Sequence, residues 1–215
     1  VISSMKRPLL EKNSEVFIRN NEAISIIKKI QKFNEDTFDT LVSSNDPFGF
    51  DRREENSYKR KVVDFKIKKF NNSIELYYNG WKKNGIGYVK KTDILKNKEL
   101  INGYKLYIPK AWGNGDLKND TLKPISVRDN SCCTETYLMI GPYDDVSLIE
   151  NIQSYMETDF FHLLVLLLKN TQNAMKKVYS LVPIQDFSKK WNDEMLFTKY
   201  KLTKNEILFI KNLRS

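Results

Sequence analysis

The sequence predicts an α+β fold: mixed, mostly antiparallel strands in the middle of the chain, helices at both ends and a helical C-terminal third. Three observations predict it. Apolar and polar residues alternate over residues 63–67, which is the period of a strand. Apolar residues recur at helical spacing over residues 23–30 and again from residue 146 onward. Clusters of Asn, Gly, Ser and Pro separate these segments, as turns and loops do.

Local signals define the individual elements. Residues 71–73 form a turn between two strand-like segments, so residues 58–70 and 74–78 are expected to pair as a hairpin. Residues 113–131 are expected to form a long loop, and loops of that length are mostly functional or disordered. Thr203 and Glu206 have the spacing of a capping box at the start of the last helix. In chain order the predicted elements are strand 16–18, helix 23–30, a helical or turn segment 35–41, a turn 43–50, strands 58–70, 74–78 and 85–89, helix 93–101, strands 104–108 and 136–141, two helices within 146–177 that meet near residues 157–159, strand 178–182, a turn 186–191, and helices 193–199 and 203–213.

The composition favours a polyanionic partner. The chain has 36 Lys and Arg against 27 Asp and Glu, a net charge of +9, and such a surplus attracts nucleic acid or an acidic membrane surface. The longest apolar run, residues 160–168, is too short to span a bilayer. No signal peptide is visible. We therefore expect no membrane partner and a cytoplasmic protein, in which the adjacent Cys132 and Cys133 stay reduced.

Catalytic and metal-binding motifs are sparse. Gly80, Gly85 and Gly87 lack the spacing of a dinucleotide-binding loop. His162 is the one histidine of the sequence and lies in an apolar segment, where a packed side chain is expected rather than a catalytic base. No catalytic, cofactor-binding or metal-binding residue is assigned. The enzymatic alternative is a metal-dependent nuclease, in which two carboxylates converge near a lysine. Its candidate residues are Asp51, Asp64 and Lys66.

Basic residues interleaved with aromatic ones indicate nucleic-acid binding. They recur in residues 52–69, 81–83, 88–91 and 110–112. Lysine and arginine neutralise phosphates, and amide side chains read base edges. An ordinary solvated lysine surface is the alternative explanation of the same pattern.

The C-terminal part resembles a known protein family. The segments are residues 133–143 (CTETYLMIGPY), 170–174 (NTQNA), 178–188 (VYSLVPIQDFS) and 191–194 (WNDE). They are similar to the C-terminal specificity region of type II restriction–modification N6-adenine DNA methyltransferases, some of which are fused to an endonuclease. Shorter matches occur earlier in the same order, among them residues 87–89 and 107–111.

The resemblance implies a recognition domain without chemistry of its own. In this family an N-terminal domain binds S-adenosylmethionine and methylates a flipped adenine, and the C-terminal region selects the DNA sequence. The chain lacks a glycine-rich cofactor loop and a complete Asn/Asp-Pro-Pro-Tyr/Phe box, so the match is to the second part. Residues 1–15 are then a lead-in from an upstream domain. Residues 16–215 are the recognition domain, with a strand-rich sublobe 16–143 and a helical sublobe 144–215.

The expected partners are double-stranded DNA and the methyltransferase domain of the same protein. No cofactor is expected in this part of the chain, and S-adenosylmethionine is implied only for the methyltransferase domain. The alternative binding function is a protein-interaction module whose basic face contacts that domain. Loop residues within 113–131 are expected to read the major groove. The candidate DNA-binding residues are Arg52, Arg53, Lys82, Lys83, Lys110, Arg128, Thr134, Thr136, Asn170 and Gln172.

Overall fold

A computed structural model describes residues 18, 20–50, 52–53, 60–61, 64–112, 122–169, 171 and 173–213. Within these residues, helices and small, mostly antiparallel sheets confirm the α+β prediction. The helices are α1 (Glu22–Gln31), α2 (Trp81–Asn84), α3 (Val146–Met156), α4 (Asp159–Leu168), α5 (Asp193–Lys199) and α6 (Lys204–Asn212). The strands are β1 (Arg52–Arg53), β2 (Arg60–Lys61), β3 (Ser73–Tyr77), β4 (Gly87–Lys90), β5 (Tyr104–Pro109), β6 (Ile125–Val127), β7 (Ser131–Cys133) and β8 (Tyr137–Tyr143). Single 3-10 turns span Phe38–Leu41, Lys91–Asp93, Lys98–Ile101 and Lys176–Tyr179.

The strands of the described residues form three sheets. β1 and β2 pair antiparallel with each other. The second sheet has the order β4-β3-β7, in which β3 is antiparallel to β4 and parallel to β7. The third has the order β6-β5-β8 and is antiparallel throughout, with Pro109 of β5 opposite Tyr137 of β8. The ends of β5 and β8 that carry this last pair position the candidate site described below.

Strands β5 and β8 separate two hydrophobic cores. Leu106 and Ile108 of β5 point into the first core, together with Leu138 and Ile140 of β8. Tyr107, between the two β5 residues, points into the second core. Because successive side chains of a strand face opposite sides, β5 is covered by one core on each of its faces. The first core is completed by helices α1 and α3–α6, and the second by β3, β4, β6 and β7.

Helices α3 to α6 of the first core each begin at a side-chain cap. The Thr158 hydroxyl accepts a hydrogen bond from the Phe161 amide, which fixes the start of α4. The Asp193 carboxylate accepts from the amides of residues 159 and 160 and ties the start of α5 to the start of α4. The predicted capping box of Thr203 and Glu206 is present at α6. Helix α1 packs on α6, so the N-terminal helix belongs to the same core as the C-terminal helices.

The predicted hairpin between residues 58–70 and 74–78 is wrong. Residues 71–73 do turn, since the Ser73 amide donates to the Phe70 carbonyl. However, β3 is a central strand whose two neighbours are β4 and β7. Because β3 is buried, water cannot satisfy its backbone N–H and C=O groups, and a neighbouring strand does so on each edge. Within residues 64–70, only Lys66 forms a bridge, to Tyr88 on the outer edge of β4.

Three other elements differ from the prediction. The expected helix 93–101 is two 3-10 turns, because Asn97 between them adopts a left-handed backbone with φ 50°. The expected strand 178–182 begins instead as the 3-10 turn Lys176–Tyr179, which buries the adjacent Val178 and Tyr179. The second half of the expected loop 113–131 contains β6 and the start of β7. Residues 113–121 lie outside the described part of the chain, as do residues 16 and 17 of the expected first strand.

We expect the ion pair between α1 and α6 to make stability depend on acid pH. Lys29 Nζ lies 2.6 Å from Glu206 Oε2. Burial raises the pKa of Glu206, but hydrogen bonds from Lys29, Thr203 and Ser25 outweigh it and lower the pKa to about 2 from 4.5. A depressed carboxyl pKa stabilises the fold above pH 4.5, and this contribution is lost as the pH falls to 2. Glu206→Gln should therefore lower the free energy of unfolding by about 1–3 kcal/mol at pH 7.

Urea unfolding at pH 7 and pH 2.5 measures this effect. The difference between Glu206→Gln and the unmodified chain should shrink at the lower pH. Glu150→Gln, at an exposed position of α3, is the matched control and should stay within about 0.5 kcal/mol at both pH values. An equal loss for Glu206→Gln at both pH values would contradict the assignment.

Candidate nucleic-acid interface

A cleft of about 340 Å³ lies where β5 ends and β8 begins. Three of the sequence-predicted residues, Lys110, Thr134 and Thr136, meet at or beside it. The backbone brings them together, because the Lys110 amide donates to the Thr136 carbonyl at 3.0 Å and continues the β5–β8 ladder beyond the last strand pair. The cleft is lined by Asn79, Pro109, Lys110, Ala111, Glu135, Thr136, Tyr137, Asn173 and Met175.

Lys110 is held at the cleft by neighbours from distant parts of the chain. Its Nζ donates to Asn45 Oδ1 at 2.6 Å. The loop of Asn45 docks on β8 through Ser43, whose amide donates to the Met139 carbonyl at 2.8 Å. On the other side, the Ala174 amide donates to the Lys110 carbonyl at 2.7 Å. Hydrogen bonds therefore hold the backbone of Lys110 on both sides, and its side chain belongs to the cleft lining.

The two threonines lie on the turn that enters β8. The hydroxyls of Thr134 and Thr136 are 2.8 Å apart and share a hydrogen bond. The Thr134 amide donates to the Tyr77 carbonyl at the end of β3, which links the turn to the second sheet. Between them, Glu135 contributes a carboxylate to the cleft. A carboxylate repels phosphate but accepts a hydrogen bond from the amino group of cytosine.

An aromatic cluster supports the wall of the cleft. Trp81 Nε1 donates to the Tyr137 hydroxyl at 3.0 Å, and the ring of Tyr77 packs edge-on against Trp81 and Tyr107 at centroid distances of 5.1 and 5.3 Å. Burial raises the pKa of the Tyr137 hydroxyl despite the hydrogen bond from Trp81. Tyr137 therefore keeps its proton at neutral pH and can donate it in a hydrogen bond.

Exposed lysines flank the lining residues. Lys82 and Lys83 follow Trp81 on α2, and both are exposed. Exposed Lys176 and Lys177 directly follow the lining residue Met175. Beyond the end of α4, Lys169 Nζ lies 4.2 Å from the ring centroid of Trp112, next to the cleft residue Ala111. The cleft thus combines amides and hydroxyls inside with positive charge around it.

The remaining predicted DNA-binding residues do not line this cleft. Arg128 is exposed just after β6, where its carbonyl accepts from the Ser131 hydroxyl. Arg52 and Arg53 pair with β2 through their backbone, and only their backbone is described. Asn170 and Gln172 lie outside the described residues.

The structure describes two of the three residues of the nuclease hypothesis, Asp64 and Lys66. Asp64 and Lys66 are exposed, and Lys66 Nζ lies 5.4 Å from the ring centroid of Phe70. Asp51 lies outside the described residues. Among the residues that are described, no group of three or more His, Cys, Asp or Glu side chains is arranged to hold a metal ion.

The other chemically notable side chains are part of the cores. His162 is buried on α4, with its ring centroid 5.5 Å from that of Trp112. Cys132 and Cys133 are free and buried on β7, and burial raises the pKa of both thiols. Protonated, enclosed thiols are poor nucleophiles, so their role in this structure is packing.

Sequence reasoning missed several residues of the cleft. Asn79 and Asn173 contribute amides, and Tyr137 contributes a phenol. Tyr137 and Asn173 fall within the segments that carry the family resemblance, and Asn45 falls in the predicted turn 43–50. No signal in the sequence placed residue 173 beside residue 111, a bridge that forms only when the chain returns after α4.

The comparisons with known proteins do not extend these observations. No protein-family model, curated protein or solved structure matches this chain. In the part of the chain that the structure describes, none of the helices has the length and apolar character needed to cross a bilayer.

A lysine buried beside the second core predicts a second pH dependence. Lys105 of β5 is fully buried, and its Nζ donates to the carbonyls of Ile101 and Gly103 at 2.6 and 2.9 Å. Burial lowers the pKa of Lys105 to about 8 from 10.5. The folded chain therefore loses this proton more easily than the unfolded chain, so stability should rise with pH between 8 and 10.5.

Comparison with Lys105→Met isolates this contribution. From pH 7.5 to 9.5, the unmodified chain should gain about 1–2 kcal/mol of unfolding free energy relative to the variant. Lys123→Met, at an exposed position, should show no such change. The free energy of unfolding of both proteins is measured by urea denaturation at each pH. If it changes with pH by the same amount in the unmodified chain and in Lys105→Met, the fold does not lower the pKa of Lys105.

Proposed function

We propose that this chain is the sequence-specific double-stranded DNA recognition domain of a restriction–modification N6-adenine DNA methyltransferase, and that it catalyses no reaction itself. The observation that carries the proposal is that Lys110 and Thr136 line one cleft, with Thr134 hydrogen-bonded to Thr136 beside it. These residues belong to the segments that resemble the specificity region of those enzymes. Methylation of a flipped adenine, with S-adenosylmethionine, would belong to the methyltransferase domain of the same cytoplasmic protein.

The chemistry of the cleft suits a duplex. Lysines supply affinity by neutralising phosphates and releasing counterions, which carries little sequence information. Lys82 and Lys83 are exposed at the cleft's flank and can play this part. Selectivity requires donors and acceptors of fixed geometry facing base edges. Asn79, Thr136 and Asn173 line the cleft and carry the amide and hydroxyl groups for this role.

Selection from a pool of random duplexes, at low and near-physiological salt, tests the proposal. The chain should enrich a short motif, and the motif should persist at the higher salt. Binding without enrichment of a motif would contradict sequence-specific recognition. So would a stoichiometric complex with the methyltransferase domain that forms without DNA and enriches no motif, since this would favour the interaction module.

Two variants separate affinity from selectivity. Lys82→Ala with Lys83→Ala should reduce the slope of log affinity against log salt by about two and leave the motif unchanged. Asn79→Ala should relax the preference at one position of the motif, by about fivefold or more, while binding to random duplex stays the same.

A matched pair of exposed lysines is the control. Lys32 lies directly after α1 and Lys204 at the start of α6, both exposed and both away from the cleft-lining residues. Lys32→Ala with Lys204→Ala removes the same charge and should leave both motif and salt slope within error. An equal loss in the two double variants would show that net charge alone drives the binding.

A further inference from the structure

A second polar groove lies at the opposite ends of the strands that lead to the cleft. Its volume is about 540 Å³, within the range of ligand-binding clefts. Ser73, where β3 begins, lies in this groove, and Asn79, just beyond the end of β3, lies in the cleft. In the same way, Asn102 precedes β5 and Pro109 ends it. The side chains that give the groove its polar character are Lys69, Asn71, Asn72, Lys91, Asn102 and Asn130.

The groove is positively charged and rich in amides. Lys69, Lys91, Asn71, Asn72 and Asn102 are exposed. The residues that line it, all within the described part of the chain, include no Asp or Glu. This differs from the cleft, where Glu135 adds a negative charge.

Two acidic residues close in sequence to the groove lining accept hydrogen bonds from backbone amides. Asp93 Oδ2 accepts from the Lys90 amide at 3.1 Å. Asp129 Oδ1 accepts from the Gly103 amide. Their carboxylates are therefore held by local backbone groups, while Lys69 and Lys91 are exposed at the groove, where an external anion can reach them.

The floor of the groove is fixed. Asn130 Nδ2 donates to the Ser73 carbonyl at 2.8 Å, and the Asn130 carbonyl accepts from the Glu75 amide at 3.0 Å. The turn that carries Asn71 and Asn72 is closed by the hydrogen bond from the Ser73 amide to the Phe70 carbonyl. Groups that hydrogen bonds already hold in place lose less conformational entropy when a ligand binds than mobile groups do.

We infer that this groove binds the sugar–phosphate backbone of the same duplex that the cleft reads, at a point further along the DNA. The inference rests on the proposed function. Lysines and amides with no acidic side chain among the lining residues suit phosphate and sugar oxygens, which fix a protein's register on DNA without reading its sequence. Ser73 and Asn79 are six residues apart, roughly 20 Å along a strand. That distance corresponds to about six phosphate steps along one DNA strand.

The inference predicts that the groove contributes only to long duplexes. The test measures the binding of the chain to a duplex of about 20 base pairs and to a hairpin stem of about four base pairs, which is shorter than the separation of groove and cleft, each over a range of salt concentrations. Lys69→Gln with Lys91→Gln should reduce the salt slope by about two on the long duplex and leave binding to the short stem unchanged. Lys69→Arg with Lys91→Arg should retain the full slope.

The controls distinguish the possible failures. Thermal unfolding confirms that each variant is folded, and the Lys32→Ala, Lys204→Ala pair corrects for the loss of charge. If Lys69→Gln with Lys91→Gln behaves like this control pair on the long duplex, the groove is not a DNA contact and only this inference fails. The same follows if the variant weakens both probes equally. If the unmodified chain binds neither probe, the proposed function fails and this inference fails with it.

Discussion

Strands β5 and β8 are the shared wall between two cores, and the rest of the structure depends on their pairing. Leu106 and Ile108 face the helical core, and Tyr107 between them faces the core of the smaller sheet. A shift of the register by one residue would exchange these faces and move Lys105 into the helical core. The pairing also determines where β5 ends and β8 begins, and so it positions Lys110 and Thr136 beside each other.

The two hydrophobic cores each collect residues from distant parts of the chain. Helix α1 is encoded near the N-terminus, yet it packs with α6 through apolar contacts and the Lys29–Glu206 pair. The predicted sublobes, residues 16–143 and 144–215, follow composition along the sequence, and they stay a prediction. One core packs on each face of the β5–β8 pair.

The sequence was informative where structure is decided locally. The helix over residues 23–30, the cap at Thr203 and the strand at 104–108 depend on neighbours within a few residues. The parallel pairing of Leu76 with Cys132 joins segments far apart in the chain, and no local pattern reports it. The same holds for the cleft. Lys110 and Thr136 are predicted from the segments that carry the family resemblance, whereas only tertiary packing brings Asn79 and Asn173 to the cleft.

The cleft draws its lining from both sides of the wall. Tyr137 belongs to the second core, and Asn173 directly precedes Ala174, which belongs to the first. A molecule bound between Tyr137 and Asn173 would contact residues attached to both cores. By thermodynamic linkage, whatever binds there adds to the stability of both at once, in proportion to the logarithm of its concentration over its dissociation constant. The melting temperature of the whole domain is then a direct readout of occupancy at a site only a few side chains wide.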